Sequence, residues 1–187
     1  MSIGPSDFGG LSCARRPFKV KFSVARLFGP EFVGIGIDQQ LSFAGDLGAR
    51  YPAGVRMKAH VSKIAHGVHV EGAVAGREHE TCARCLEPFE RDVRVEVEET
   101  YSEDVPESDA IFGDVAPLIG RAIDLTELAT QILEVDEPIA PVCDEACNGL
   151  CDSCGQNRNI GSCTCAEHVV DPRLAGLARS LQERRES

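Results

Sequence analysis

The chain of 187 residues contains nine cysteines, and their spacing decides what chemistry it can do. One pair stands as Cys82-Ala83-Arg84-Cys85. Six more follow at Cys143, Cys147, Cys151, Cys154, Cys163 and Cys165, and Cys13 stands apart near the start. A Cys-x-x-Cys turn brings two thiolates to one side of a tight bend, at the separation one tetrahedral ion needs. Zinc in structural sites prefers four such soft ligands. Gly155, directly after Cys154, supplies a residue that takes a left-handed conformation and lets backbone N–H groups turn toward the sulfurs. Asn148-Gly149 makes a second tight turn between Cys147 and Cys151. Cys163 and Cys165, separated by Thr164, point to the same side of an extended stretch. Eight ligands clustered as pairs imply two structural four-thiolate sites and two Zn²⁺ per chain, although iron also suits four thiolates. The odd count leaves Cys13, in a Gly/Ser/Arg-rich leader, as the spare.

The eight can divide in two ways. In the first, Cys82 and Cys85 join Cys143 and Cys147, and Cys151, Cys154, Cys163 and Cys165 form a compact zinc-ribbon-like segment. In the second, Cys143, Cys147, Cys151 and Cys154 form one site, and Cys82 and Cys85 meet Cys163 and Cys165. Loop-closure entropy grows slowly with length and hardly separates the two. The first is preferred, because the last four resemble a self-contained ribbon with Gly155 at its knuckle.

Other chemistries lack their signatures. A redox Cys-x-x-Cys calls for a thioredoxin-like βαβ setting, whereas Cys82 and Cys85 lie between strands. No His-Glu-x-x-His, deaminase pattern, Walker loop, dinucleotide fingerprint or nucleophile elbow occurs, so neither an enzyme nor a small-molecule substrate is expected. His79, three residues before Cys82, is the one histidine read as placed to join a site, and a surface or supporting role suits it better than ligation. His60, His66, His69 and His168 show no partner pattern.

The net charge of −11 is unevenly spread. Residues 1–80 hold ten Lys/Arg against seven Asp/Glu, whereas residues 81–170 hold five against twenty. Each four-thiolate zinc site adds about two further negative charges. Such a region repels phosphates and suits a basic protein partner, for example a ribosomal protein. Any RNA contact falls to the basic early segment, with Arg15, Arg16, Lys19 and Lys21 as its candidate residues. No run of about eighteen apolar residues offers a membrane span. The stretch from Met1 to Pro17 also lacks the apolar region of a signal peptide. A reducing cytoplasmic location is expected, where such cysteines bind metal rather than form disulfides.

The elements that must position these residues read as α+β: an antiparallel sheet with one or two packed helices and a small C-terminal zinc-ribbon-like segment. A flexible leader covers residues 1–16, the sheet-plus-helix domain with the first site covers 17–147, the ribbon covers 148–170, and a C-terminal helix covers 171–187. Phe18, Val20, Phe22 and Val24 alternate as a half-buried strand does. Val33 to Ile37 and Leu41 to Phe43 are short apolar pieces among glycines. Val55, Met57, Ala59 and Val61 form a clean strand. A turn at His66-Gly67 then returns the chain through Val68, Val70 and Val74, and Val93, Val95 and Val97 mark another strand. Strands without intervening helices indicate antiparallel pairing. Residues 102–122 read as an acidic loop. Asp124 with Glu127 predicts a capped helix carrying a stripe of Leu125, Leu128, Ala129, Ile132 and Leu133, stopped by Pro138.

With these motifs in place, the sequence resembles the bacterial large ribosomal RNA subunit accumulation (YceD) family. The matching pieces are Thr81 through Pro88, Ile123 through Leu128, Ala140-Pro141-Val142-Cys143, and Cys147 through Asn157 running on to Cys163-Thr164-Cys165. The resemblance extends over about residues 50–175. It implies a non-enzymatic role in accumulation of large-subunit ribosomal RNA and in ribosome biogenesis, with a pre-ribosomal particle as partner. It also favours the first grouping, since some members carry counterparts of Cys82, Cys85, Cys143 and Cys147 without the last four.

Overall fold

A computed structural model of the chain describes residues 19–106 and 115–165, together with Leu174 and Gly176. The leader with Cys13, Arg15 and Arg16, and the helix expected over 171–187, lie outside the described residues apart from Leu174 and Gly176. The elements run β1 (Lys21–Ser23), β2 (Gly34–Leu41), α1 (Gly45–Arg50), β3 (Val55–Ile64), β4 (Gly67–Thr81), β5 (Pro88–Ser102), β6 (Ala116–Pro117), β7 (Ala122–Asp124) and α2 (Leu125–Val135). Strands β2-β3-β4-β5-β6 form one sheet, antiparallel except for the short β5–β6 pair, and β1 pairs with β7.

The period of two in β3, β4 and β5 sorts their side chains onto two faces. Register places Met57 beside Val74 and Val74 beside Val95, and the next row joins Leu41, Val55, Gly76 and Val93. The opposite face carries Lys58, Ala73 and Glu96, then His60, Glu71 and Glu98. The apolar face is covered by Leu125, Leu128, Ala129 and Leu133 of α2, with Val24, Leu27 and Ile123, all in one buried cluster. The capped start expected for α2 is present, since the Asp124 carboxylate accepts from the N–H groups of Thr126 and Glu127.

Three local expectations change. The apolar pieces around Val33 and Leu41 join into the single strand β2, because every residue from Gly34 to Leu41 pairs with β3. The acidic stretch 102–122 is not all loop: β6 and the start of β7 lie in it, and Val24 N–H bonds the Arg121 carbonyl at 2.9 Å. The helix α1, unmarked by any apolar stripe, is held by a single buried residue, Leu47.

One feature of the sheet matters for the site. Strand β3 pairs with β4 only as far as Val55 opposite Gly76, while β4 and β5 continue to Thr81 opposite Pro88. Residues 77–81 and 88–92 therefore form a two-stranded arm, about 17 Å long at roughly 3.4 Å per residue, with the Cys82-x-x-Cys85 turn at its tip. At its base the fully buried Glu78 carboxylate meets Arg50, the Tyr51 hydroxyl at 3.0 Å and Arg91 Nε at 2.6 Å. Burial pushes the Glu78 carboxyl up, but the bonds from Arg50, Arg91 and Tyr51 outweigh it and hold the group below its ordinary range. Arg50 also reaches Glu137 at 2.7 Å, just past the end of α2, and so ties the chain leaving that helix to the arm.

Candidate metal centres

The tip of the arm and the segment after α2 meet through sulfur. Sγ atoms of Cys82, Cys85, Cys143 and Cys147 lie within 4.8 Å of one another, and so do those of Cys151, Cys154, Cys163 and Cys165. The geometry is that of the first grouping. Four thiolates about 2.3 Å from a central Zn²⁺ stand about 3.8 Å apart by tetrahedral geometry. The Cys82–Cys147 and Cys85–Cys143 separations are 3.9 and 3.7 Å. Both far exceed the roughly 2.05 Å of a disulfide, and all eight are free thiols. Both sets thus fit a tetrahedral metal ion. His79 takes no part; it faces Glu90 at 3.3 Å on the arm.

The two Cys-x-x-Cys turns share one backbone pattern. Leu86 N–H bonds the Cys82 carbonyl at 2.9 Å, and Cys82 N–H bonds Glu87 O at 2.9 Å. In the ribbon, Gly155 N–H bonds Cys151 O at 2.8 Å and Cys151 N–H bonds Gln156 O at 2.8 Å. The residue after the second cysteine is left-handed in both, with φ of 61° at Leu86 and 71° at Gly155. Glycine carries that conformation without strain, whereas leucine does not. Leu86 is thus the position that the glycine signal did not mark in the sequence.

The turns also load their sulfurs electrostatically. The Cys82 thiol is drawn down to about 6, first by the backbone N–H of Cys143. Cys151 is likewise drawn to about 6, first by the N–H groups of Cys154 and Ser153. Burial and the neighbouring thiols push Cys143 up to about 12, and Cys154 and Cys151 push Cys165 to about 12. Four thiols packed this closely titrate apart because four adjacent negative charges repel. A dication held by the four sulfurs would remove that conflict by favouring all four thiolates.

The two sets are also joined directly. Leu150 N–H bonds the Arg84 carbonyl at 3.1 Å, and Arg84 Nη1 bonds the carbonyls of Glu145 and Cys147 at 2.9 and 3.2 Å. Gly149, with φ of 68°, sits where an added Cβ would stand 3.0 Å from Arg84 O. Asn159 lies between Cys154 and Cys163 in sequence, yet its Nδ2 donates to Cys147 Sγ at 3.2 Å. Neither Arg84 nor Asn159 was marked by a spacing rule, since both act through carbonyls and one sulfur brought near by folding.

The candidate basic residues within the described chain are partly committed elsewhere. Lys19 stands 3.6 Å from Asp124 and 3.7 Å from Glu127, while Lys21 is exposed on β1. Arg56 and Lys58 both face Asp38. Among the described residues no helix is long and apolar enough to cross a membrane.

Residues 70–179 match the family described as large ribosomal RNA subunit accumulation protein YceD. Uncharacterized proteins of Mycobacterium bovis and Mycobacterium tuberculosis are 32% identical over 124 residues, covering 65% of this chain and 59% of theirs. The chain thus spans about three fifths of those relatives. A chloroplastic YCED homolog 1 of Arabidopsis thaliana, named for large ribosomal RNA subunit accumulation, is 28% identical over 67 residues, 34% of this chain and 21% of its own length. No solved structure matches the chain.

Proposed function

The chain belongs to the large ribosomal RNA subunit accumulation protein YceD family, and from that premise we propose a non-enzymatic, zinc-binding cytoplasmic factor that supports accumulation of large-subunit ribosomal RNA. Its two Zn²⁺ are folding elements: Cys82, Cys85, Cys143 and Cys147 hold one, and Cys151, Cys154, Cys163 and Cys165 the other.

The observation that carries the metal reading is the interior of residues 138–165. The only buried side chains there are Cys147 and Cys151, and the buried cluster that Cys147 joins consists of Cys82, Cys85 and Cys147 with Phe89 and Val142 against it. A segment with no aliphatic core needs a staple, and ligation supplies on the order of 10 kcal/mol or more. The closed four-sulfur sets, with no histidine or carboxylate ligand in either, suit a structural rather than a catalytic zinc. The partner is a basic protein of the pre-ribosomal particle. That choice rests on twenty acidic against five basic residues over 81–170, deepened by the charge of the two thiolate sets. Direct RNA binding is less favoured, because Lys19, Arg50, Arg56 and Lys58 already face carboxylates.

Metal analysis of protein purified under reducing conditions tests the first half, with an expected content of about two zinc per chain. One or none refutes it. Pull-down of pre-ribosomal particles with and without ribonuclease tests the second half. Association with a basic protein that persists after ribonuclease supports it, and association abolished by ribonuclease replaces it with RNA binding.

A further inference from the structure

Asn159 belongs to the ribbon by sequence and to the first cysteine set by contact. Its Oδ1 accepts the Asn148 N–H at 2.8 Å, next to Cys147, while its Nδ2 donates to Cys147 Sγ at 3.2 Å and to Asn157 Oδ1 at 3.0 Å. Its own N–H bonds Asn157 Oδ1 at 3.0 Å, which fixes the side chain over the turn. The loop that presents it is closed on one side by Cys154 and on the other by Cys163, both in the second set. Without that closure, and apart from the bonds of Asn159 itself, residues 155–162 are tied to the rest of the chain by Gly155 N–H to Cys151 O at 2.8 Å, the Cys151–Gln156 bond, the Leu150–Asn157 bridge, Arg158 N–H to Gly149 O at 2.9 Å, the Arg158 side chain on Cys151, and the weak Asn157 contact with Glu87 at 3.5 Å.

We propose that Asn159 is a positioning residue through which metal in the second cysteine set tightens metal binding in the first. Closing the ribbon orders the loop, and the loop then delivers a donor to the Cys147 thiolate and an acceptor to the turn that follows it. A thiolate that accepts an N–H bond is held at one angle and shares its charge, and loss of such outer partners costs metal affinity ten- to a hundred-fold. Coupling of this kind is reciprocal, so metal in the first set also tightens the second. The inference rests on reading both sets as metal sites.

The test measures zinc affinity of the first set in the full chain, by competition with a chromophoric chelator, in a double-mutant cycle. Asn159→Leu, and separately Cys151→Ser with Cys154→Ser, are each expected to weaken the first set about ten-fold or more. The three changes together should weaken it no further than either alone, because the ribbon acts through Asn159. An unaltered first set in the ribbon-broken chain overturns the coupling, as do losses that multiply in the combined variant. Asn159→Asp keeps the acceptor for Asn148 and removes the donor to sulfur. In cadmium-loaded protein it should shift the first set's cadmium resonance and leave that of the second in place. Resonances that both stay unmoved deny Asn159 its role. A chain that takes up no metal at either set overturns the underlying reading as well, which separates the two failures.

Discussion

Replacing Glu78 by Gln removes one negative charge from the base of the arm and little else, since the side chains are nearly the same shape. The wild-type carboxylate is 0% exposed and receives Arg50, Arg91 and Tyr51. Breaking a buried ion pair by removing one partner costs about 3–5 kcal/mol, chiefly because the other charge is stranded. Here the stranding is incomplete. Arg50 keeps Glu80 at 3.2 Å and Glu137 at 2.7 Å, and the Arg91 side chain is 35% exposed and partly hydrated. The expected loss for Glu78→Gln therefore sits at the low end, about 3 kcal/mol, read as a shift in urea midpoint of metal-loaded protein at neutral pH with the slope unchanged. The pH dependence supplies a second check. The Glu78 carboxyl titrates below its ordinary 4.5 in the folded chain, so its contribution is complete above that value. It is lost as the pH falls through the lowered native value. The stability gap between wild type and Glu78→Gln should thus narrow only in acid below about 4.5. Metal release weakens both proteins alike and cancels in the difference. A loss below about 1 kcal/mol, in the range of an exposed pair, would refute the argument that this carboxylate anchors the arm.

Four further perturbations follow from the same geometry. Gly155→Ala meets no atom within 4 Å but must hold φ near 71°, so it should cost about 1 kcal/mol, the conformational term alone. Gly149→Ala adds a close approach to Arg84 O at 3.0 Å and should cost more in the same denaturation assay. Leu86→Gly relieves a left-handed leucine that is 62% exposed, and the gain is offset in part by a freer unfolded chain. Its expected effect is between zero and about 1 kcal/mol of stabilisation, and a clear loss would show that the leucine side chain holds a partner in the turn. Chelation of metal under reducing conditions should strip amide exchange protection from residues 82–87 and 141–160 while β3 and β4 stay protected, because the core under the sheet contains no cysteine. Exchange that rises uniformly would contradict that division.

Much of the scaffold was legible because one face is buried. Alternation in Val55–Ile64, with a glycine turn after it, leaves one solution for the hairpin, and the Asp124 cap marks where α2 starts. The cysteine pairing was half legible. Spacing alone left two groupings, and the choice depends on where the β4–β5 turn lies relative to the chain leaving α2, which no local rule contains. Glu78 was invisible for a related reason: in a run of Arg77, Glu78, His79 and Glu80 it reads as one more exposed charge. Its burial follows from α1, a helix too short to announce itself, which brings Arg50 and Tyr51 over β4. Asn159 was invisible because its partner is a sulfur from the other set.

The arm also bears on slippage. Its strands carry Arg77, Glu78, His79 and Glu80 against Phe89, Glu90, Arg91 and Asp92, so no apolar row penalises a shift of the two strands past one another. Such a hairpin takes its alignment from its two ends. At the root the alignment is set by the buried rows of Val74 with Val95 and Gly76 with Val93, continued by Glu78 facing Arg91, and at the tip it is matched by the sulfurs of Cys82 and Cys85, which reach Cys147 and Cys143. The thiolate set is therefore more than a load carried at the end of the arm. It acts as a catch that locks at the far end the alignment that the apolar rows set at the root.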